Sequence, residues 1–357
     1  MTGLLHVVAA AKPREKAGPH TMKRYGFQVH FSILKMLELH KSGNDYRAAF
    51  DHFDDLMVFD KADQPEKVDF YQIKSQAKGE WTLSAMTSKD GKTKPATFLG
   101  RLHHHMADFG NMVGRLGFVS NMGFRLKLAS GKKTTDDHKL IKSSDLHVDE
   151  IAALKTAVAN DAVSPPALDG SNLFVFERTA LGLAEQETFV RGRLVEVISE
   201  RGDCDHVGAI ALYDALRGNV FTKSAVTQEF TTTDEFYERK TLCRSDIEAL
   251  FLKGAARKRF HDNWGIVERD LLAAGMNSRQ ILALHNDCIS YINARSSGEP
   301  GAIAFSAGAQ NAVSAHPDEV VACGSVPEIA ARLHVWVPSE YEHRAGAMHV
   351  EAFEAMI

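Results

Sequence analysis

At 357 residues, 44% apolar and 25% charged, the chain has the composition of a globular protein large enough for two cores. It contains no run of eighteen or more apolar residues, which argues against a membrane-spanning helix. Its mildly apolar start, residues 1–11, lacks the preceding basic segment of a signal peptide. The net charge of −4 hides an asymmetry: residues 1–150 hold 23 Lys/Arg against 18 Asp/Glu, and residues 151–357 hold 19 against 28, so the amino-terminal part is the one suited to a polyanion. The four cysteines, Cys204, Cys243, Cys288 and Cys323, form no C-x-x-C pair, which argues against a zinc site or a disulfide framework and fits a reducing cytoplasm.

In chain order, residues 12–24 are basic, include two prolines and read as an extended lead-in. Apolar positions at Phe27, Phe31, Leu34, Met36 and Leu37 predict a helix over 25–39 with one buried face, ended by Ser42-Gly43-Asn44-Asp45. Strand-like runs at about 55–60 and 68–74 flank the turn-rich residues 61–66. Residues 95–113 read as helix and include His103-His104-His105, and residues 117–121 and 124–128 read as a strand or strand pair. Helix, strand, strand, helix, strand is an α/β sandwich order. A lysine-bearing loop over 131–145 follows, then helices and a strand near Leu173-Phe174-Val175-Phe176, up to about 218. The last third reads as almost wholly helical, with Ser245-Asp246-Ile247-Glu248 as a capping box, Asn277 or Ser278 as a further cap, and the Gly/Ser/Ala-rich residues 296–314 as a loop. The expected fold is therefore an α/β unit over 1–217, a mixed sheet flanked by helices, followed by an all-α unit over 218–357.

The strand around 68–75 carries the most suggestive chemistry. Gln72 and Lys74 are two apart and share a face, and the preceding strand opens on Asp54-Asp55. An acid opening one strand and a Gln-x-Lys closing its neighbour is the skeleton of a metal-dependent phosphodiesterase. Magnesium takes hard oxygen ligands and keeps several waters, so one or two protein oxygens plus a phosphate can hold it. Asp55 would supply a carboxylate, Gln72 an amide oxygen, and Lys74 an ammonium to orient water or offset charge. Spacing alone leaves a second reading open, an amphipathic hairpin with Lys74 solvated and the two acids capping a turn. The three histidines point about 100° apart on a helix and cannot all bind one metal, so they read as a polar or DNA-facing surface. No G-x-x-x-x-G-K-[ST] occurs, which speaks against ATP hydrolysis. Asp203, Cys204 and His206 read as a polar turn, and Cys243 as core.

Six blocks occur in one order: Pro13-Arg14-Glu15-Lys16-x-Gly18, Arg24-Tyr25-Gly26-Phe27-Gln28, Phe53-Asp54-Asp55-Leu56-Met57-Val58, Phe70-Tyr71-Gln72-Ile73-Lys74-Ser75, Trp81-Thr82-Leu83 and Phe118-Val119-Ser120-Asn121. Together, over about residues 12–215, they resemble the double-stranded DNA endonuclease domain of bacterial anti-phage effectors, known from CBASS nucleases and from nucleases paired with HerA-type translocases. The resemblance implies a restriction-endonuclease-like fold of the PD-(D/E)XK superfamily in its Q-x-K variant, using Mg²⁺ with Mn²⁺ as an alternative. It implies Asp55 as metal ligand, Gln72 as second ligand, Lys74 as catalytic lysine and Gln28 as a residue packing toward the site. Asp51 stands where the family often has Glu. Of the adjacent pair Asp54 and Asp55, the family pattern places the acid immediately before the apolar strand, which selects Asp55. Lys132 and Lys133, in the lysine-bearing loop, are candidate contacts to DNA phosphates, a solvated loop being the alternative.

The helical remainder does not resemble the SAVED sensor domain of CBASS enzymes. It is expected to mediate homo-oligomerisation and docking, with a HerA-type hexameric ATPase as the leading partner because the chain carries no motor motif. The competing function is a catalytically weak or inactive nuclease fold that binds DNA or scaffolds a defence complex, suggested by Gln72 in place of an acid. RNA as substrate is a third reading, for which no recognition motif is present.

Overall fold

Seven strands form one mixed sheet in a computed structural model that describes residues 17–88, 97–135, 137–159, 173–201, 206–297, 299–337 and 344–356. The strands are β1 (Arg47–Phe50), β2 (Leu56–Phe59), β3 (Val68–Lys74), β4 (Val113–Ser120), β5 (Leu140–Lys142), β6 (Phe174–Arg178) and β7 (Thr241–Cys243), in the spatial order β5-β6-β4-β3-β2-β1-β7. Helices α1 (Ala17–Lys41), α2 (Leu83–Met86), α3 (Phe98–Phe109), α4 (Val148–Ala159), α5 (Gln186–Arg201), α6 (His206–Ser224) and α7 (Thr233–Lys240) accompany it. β1, β2 and β3 pair antiparallel, whereas β3, β4 and β6 run parallel. The parallel step from β3 to β4 requires a crossover, and α2 and α3 lie on it.

Strand alternation gives the sheet two different faces. Val68 and Phe70 of β3, Leu116 and Phe118 of β4, and Phe174 and Phe176 of β6 join Leu99 and Leu102 of α3 in one apolar core. By the same alternation Tyr71 points to the other side, where its ring meets Phe31 of α1 at 6.4 Å. Gly117 of β4 lies opposite Tyr71, and a Cβ there would come within 2.5 Å of the tyrosine ring. The glycine therefore makes room for an aromatic ring lying across the sheet.

Helix α1 differs from its predicted single buried face. Val29, His30, Ser32, Ile33, Met36 and Leu37 are buried along with Phe27, Phe31 and Leu34. The reason is a second helical layer: His30 Nδ1 lies 3.1 Å from Gln186 Oε1 on α5, and its Nε2 lies 2.6 Å from the Tyr213 hydroxyl on α6. Nδ1 is also 2.6 Å from the Gly26 carbonyl, so the tautomer that donates there leaves Nε2 to accept from Tyr213. Burial lowers the His30 pKa below its ordinary 6.5. The unfolded chain thus takes up a proton near 6.5 that the folded chain resists, and stability falls as pH falls through that value. Thermal unfolding at pH 7.5 and 5.5 is expected to show this loss, and His30→Gln to show a smaller one.

The carboxy-terminal part is helical: α8 (Arg244–Ala273), α9 (Ser278–Ser297), α10 (Pro300–Ala315), α11 (Pro317–Ala322), α12 (Val326–Trp336) and α13 (Arg344–Met356). Phe260, Tyr291, Phe305, Leu333 and Phe353 belong to its separate core. Asn277 caps α9 as expected, accepting from the N–H groups of Arg279 and Gln280, while Gln280 accepts from the Asn277 N–H. The expected capping box at 245–248 shifts by two residues, because Asp246 accepts from the Cys243 N–H and starts α8 at Arg244. Residues 300–315 are helix, not loop. Pro300 opens α10 and its alanines favour helix, with Ala302, Phe305 and Ala309 buried.

The chain divides into one unit of residues up to Glu200 with Ile210–Glu248 and another of Arg201–Ala209 with Ala249 onward. The boundary expected between 217 and 218 falls inside α6, and β7 joins the sheet from beyond it, pairing with β1 through Ala48↔Leu242. Among the described residues no helix is long and apolar enough to cross a membrane.

Candidate active site

The register between β2 and β3 sets the site. Leu56 pairs with Tyr71 and Met57 with Phe70, so one step further Asp55 comes level with Gln72. Asp55 Oδ2 accepts from Gln72 Nε2 at 2.5 Å, from the Ile73 backbone N–H at 2.6 Å and from Lys74 Nζ at 3.2 Å. The Asp55 side chain is 12% exposed. Burial pushes its carboxyl above the ordinary range; Lys74 opposes the rise, Asp54 adds to it, and the Ile73 N–H and Gln72 amide offset part of it. The carboxylate is thus a desolvated anion held among donors, with a cation beside it.

Its neighbour turns elsewhere. Asp54 Oδ2 is 2.8 Å from His105 Nε2 on α3, and the His105 ring stacks on Phe70 at 4.1 Å. The two adjacent acids therefore serve different partners. Asp51 occupies a left-handed backbone conformation (φ 48°) in the turn before β2, exposed, with its N–H bonded to the Asp55 carbonyl. Gln28 sits on α1, half-buried, and among the described residues no hydrogen bond joins its side chain to Asp55, Gln72 or Lys74. Lys132 and Lys133 are exposed and make no contact with the Asp55 cluster among the described residues. The histidine triplet is not a surface. His103 and His105 are buried, His103 against Phe174, and only His104 is exposed, because α3 packs this side on the sheet. Cys243 is buried, as expected of core; residues 203 and 204 lie outside the described residues.

Arg101 is the residue that sequence reasoning missed. Its Nη2 donates to Gln72 Oε1 at 3.2 Å, so the Gln72 amide bridges Asp55 and Arg101. The Arg101 guanidinium lies 5.1 Å from the Phe98 ring centre and Lys74 Nζ lies 5.7 Å from the same ring. Phe98 thereby seats both cations on one aromatic platform, and the ring is itself held edge-on by Trp81, whose Nε1 donates to Ser120 Oγ at 2.8 Å. A faint signal existed: Arg101 and Phe98 follow Thr97, whose hydroxyl caps α3 by accepting from the Gly100 N–H.

The donor set fits a hard divalent cation. All three hydrogen bonds to Asp55 fall on Oδ2, and among the described residues Oδ1 accepts none. A rotation of the Gln72 amide about its last bond would place Oε1 on the Asp55 side. No cluster of three or more His, Cys, Asp or Glu suited to a metal occurs among the described residues, so water and phosphate would complete the coordination, as magnesium tolerates.

A family model described as the Cap4 dsDNA endonuclease domain matches residues 16–224. This span contains β1 to β6 together with Asp55, Gln72, Lys74 and Arg101, and ends before β7. The Lamassu protein LmuA of Bacillus cereus (strain VD014) is 21% identical over 245 residues, covering 66% of this chain and 64% of that protein. The chain therefore spans a little under two thirds of that relative's length. No solved structure matches the chain.

Proposed function

The chain belongs to the Cap4 dsDNA endonuclease family, and from that membership we propose that it is a metal-dependent endonuclease that cleaves double-stranded DNA in anti-phage defence. The observation that carries this reading is the convergence of Gln72, the Ile73 N–H and Lys74 on one oxygen of buried Asp55. In this reading the fold is of the PD-(D/E)XK, restriction-endonuclease-like kind, and the Q-x-K strand is β3. Asp55 and Gln72 hold Mg²⁺ or Mn²⁺, which when bound supplies charge neutralisation at the scissile phosphate and a more acidic water. Lys74 orients the attacking water and offsets charge gathering on the phosphate oxygens. Arg101, which gives up its bond to Gln72 Oε1 when the amide turns that oxygen toward Asp55, adds a second positive charge facing the substrate. Asp54 positions α3 through His105. Assembly as a homo-oligomer, and with a HerA-type hexameric ATPase, would supply activation in the cytoplasm.

Supercoiled plasmid incubated with the protein, alone and with its ATPase partner, is expected to be nicked and linearised in Mg²⁺ or Mn²⁺ and left intact in EDTA. Cleavage that persists in EDTA would overturn the metal dependence. The second reading, a nuclease fold that only binds DNA, is favoured by Gln72 standing where an acid would bring more negative charge to a cation. It predicts a gel shift with no strand break in either ion.

A further inference from the structure

The face of the sheet opposite the Asp55 cluster holds a cavity of about 380 Å³. Its floor includes Tyr71 of β3 and Val175 of β6, which are level with one another on either side of β4. Gly117, between them on β4, leaves the space that the Tyr71 ring fills. Helices α1 and α5 form the walls through Leu34 and Phe189.

The polar rim is strongly basic. Lys35, Arg115, Lys139, Arg178 and Arg193 face two acids, Glu38 and Glu177. Lys35 is 14% exposed, lies 3.3 Å from Glu177 and sits 5.3 Å above the Tyr71 ring, so both acids are already engaged with a cation inside the protein. Arg115 is 57% exposed and only loosely paired with Asp69, at 3.8 Å. Lys139 is exposed, and among the described residues its ammonium has no ion-pair partner. Desolvation raises the carboxyl pKa values of both Glu38 and Asp69. Arg193 is 49% exposed and pairs at the surface with Glu196 at 2.5 Å, so the site joins a cation-rich rim, held in part by exposed pairs, to an aromatic and aliphatic floor.

We propose that this cavity binds a small phosphorylated molecule, its phosphate held by Arg115, Lys139 and Arg193 and its apolar or aromatic part laid against Leu140, Val175 and Phe189. Rim cations with planar donors match phosphate oxygens, and the volume lies within the range of small-ligand sites. The proposal stands apart from the nuclease reading, because it uses the opposite face of β3.

The test is isothermal titration of the full chain with AMP, ribose 5-phosphate, inorganic phosphate and adenosine, on the native protein and on Arg115→Ala/Arg193→Ala. Both arginines are half-exposed, so the variant is expected to keep its Tm. AMP is expected to bind, ribose 5-phosphate and phosphate more weakly, adenosine weakest, and the variant to bind AMP about tenfold more weakly. Equal binding of AMP by variant and native protein would overturn the proposal, as would no binding of any phosphorylated probe. Loss of duplex-DNA binding in the variant, without AMP binding in the native protein, would also overturn it and make the rim a contact to the DNA backbone.

Discussion

Lys74→Ala is expected to lower cleavage of double-stranded DNA by about 10²- to 10⁴-fold while leaving the protein folded. Lys74 closes β3, its side chain is 25% exposed, and its ammonium reaches Asp55 at 3.2 Å. Its apolar stem is not part of the core of Val68, Phe70 and Phe118, so truncation opens no cavity there. What is lost is a point charge at the spot where the phosphate gathers negative charge. Asp55 would also lose the main influence opposing its raised pKa and bind a proton more readily. Lys74→Arg is expected to restore little, since the planar guanidinium is larger and spreads its charge. Plasmid cleavage with a parallel thermal melt separates the two effects. Unchanged cleavage by the alanine variant would remove Lys74 from the mechanism.

In the helical unit the largest expected effect comes from Arg295→Ala, a loss of about 3 kcal/mol. Arg295 Nη1 donates to Glu351 at 2.7 Å and to Glu354 at 2.9 Å, and Glu351 is 3% exposed. The Tyr291 hydroxyl donates to the same Glu351 oxygen at 2.5 Å. Removing the arginine leaves a buried carboxylate with only the uncharged Tyr291 and Ser306 hydroxyls beside it. Burial already holds the Glu351 carboxyl above the ordinary range, so the variant will tend to protonate it, and the penalty is expected to shrink as pH falls. Removing both charges in Arg295→Met/Glu351→Leu is expected to recover most of the stability. Hydrogen exchange along α9 and α13, with chemical unfolding, measures the difference; an Arg295→Ala protein as stable as the native one would show that the network contributes nothing net.

Period-two alternation made β3 legible from sequence, and with it the shared face of Gln72 and Lys74. The acid opening β2 was legible for the same reason, since a short turn-rich link brings two such strands together. Arg101 was not, because an arginine in the first turn of an amphipathic helix looks like any solvated cation until α3 is packed on the sheet. The burial of His103 and His105 was hidden likewise: a polar triplet gives no sign that Phe70 and Phe174 lie beneath it. Strand β7 escaped notice because Thr241-Leu242-Cys243 is too short to carry a period and lies between two helices. Residues 296–314 read as a loop because their seven glycines and serines outnumber five alanines, yet all five of those helix-favouring alanines fall within α10.

The position of β7 bears on which stretch of chain can stand alone. The family match ends at residue 224, yet β1, buried along its whole length, has its outer hydrogen-bonding edge covered by residues 241–243. The connection is anchored on the way: Lys240, 1% exposed, donates to the carbonyls of Ser224 and Val226. A fragment cut where the homology stops would display Arg47–Phe50 as an open seam, its amide and carbonyl groups offered to any passing strand. Such a piece would tend to self-associate before it could be assayed. The inherited module and the smallest piece that folds cleanly are therefore different lengths of chain, and the difference is a three-residue strand.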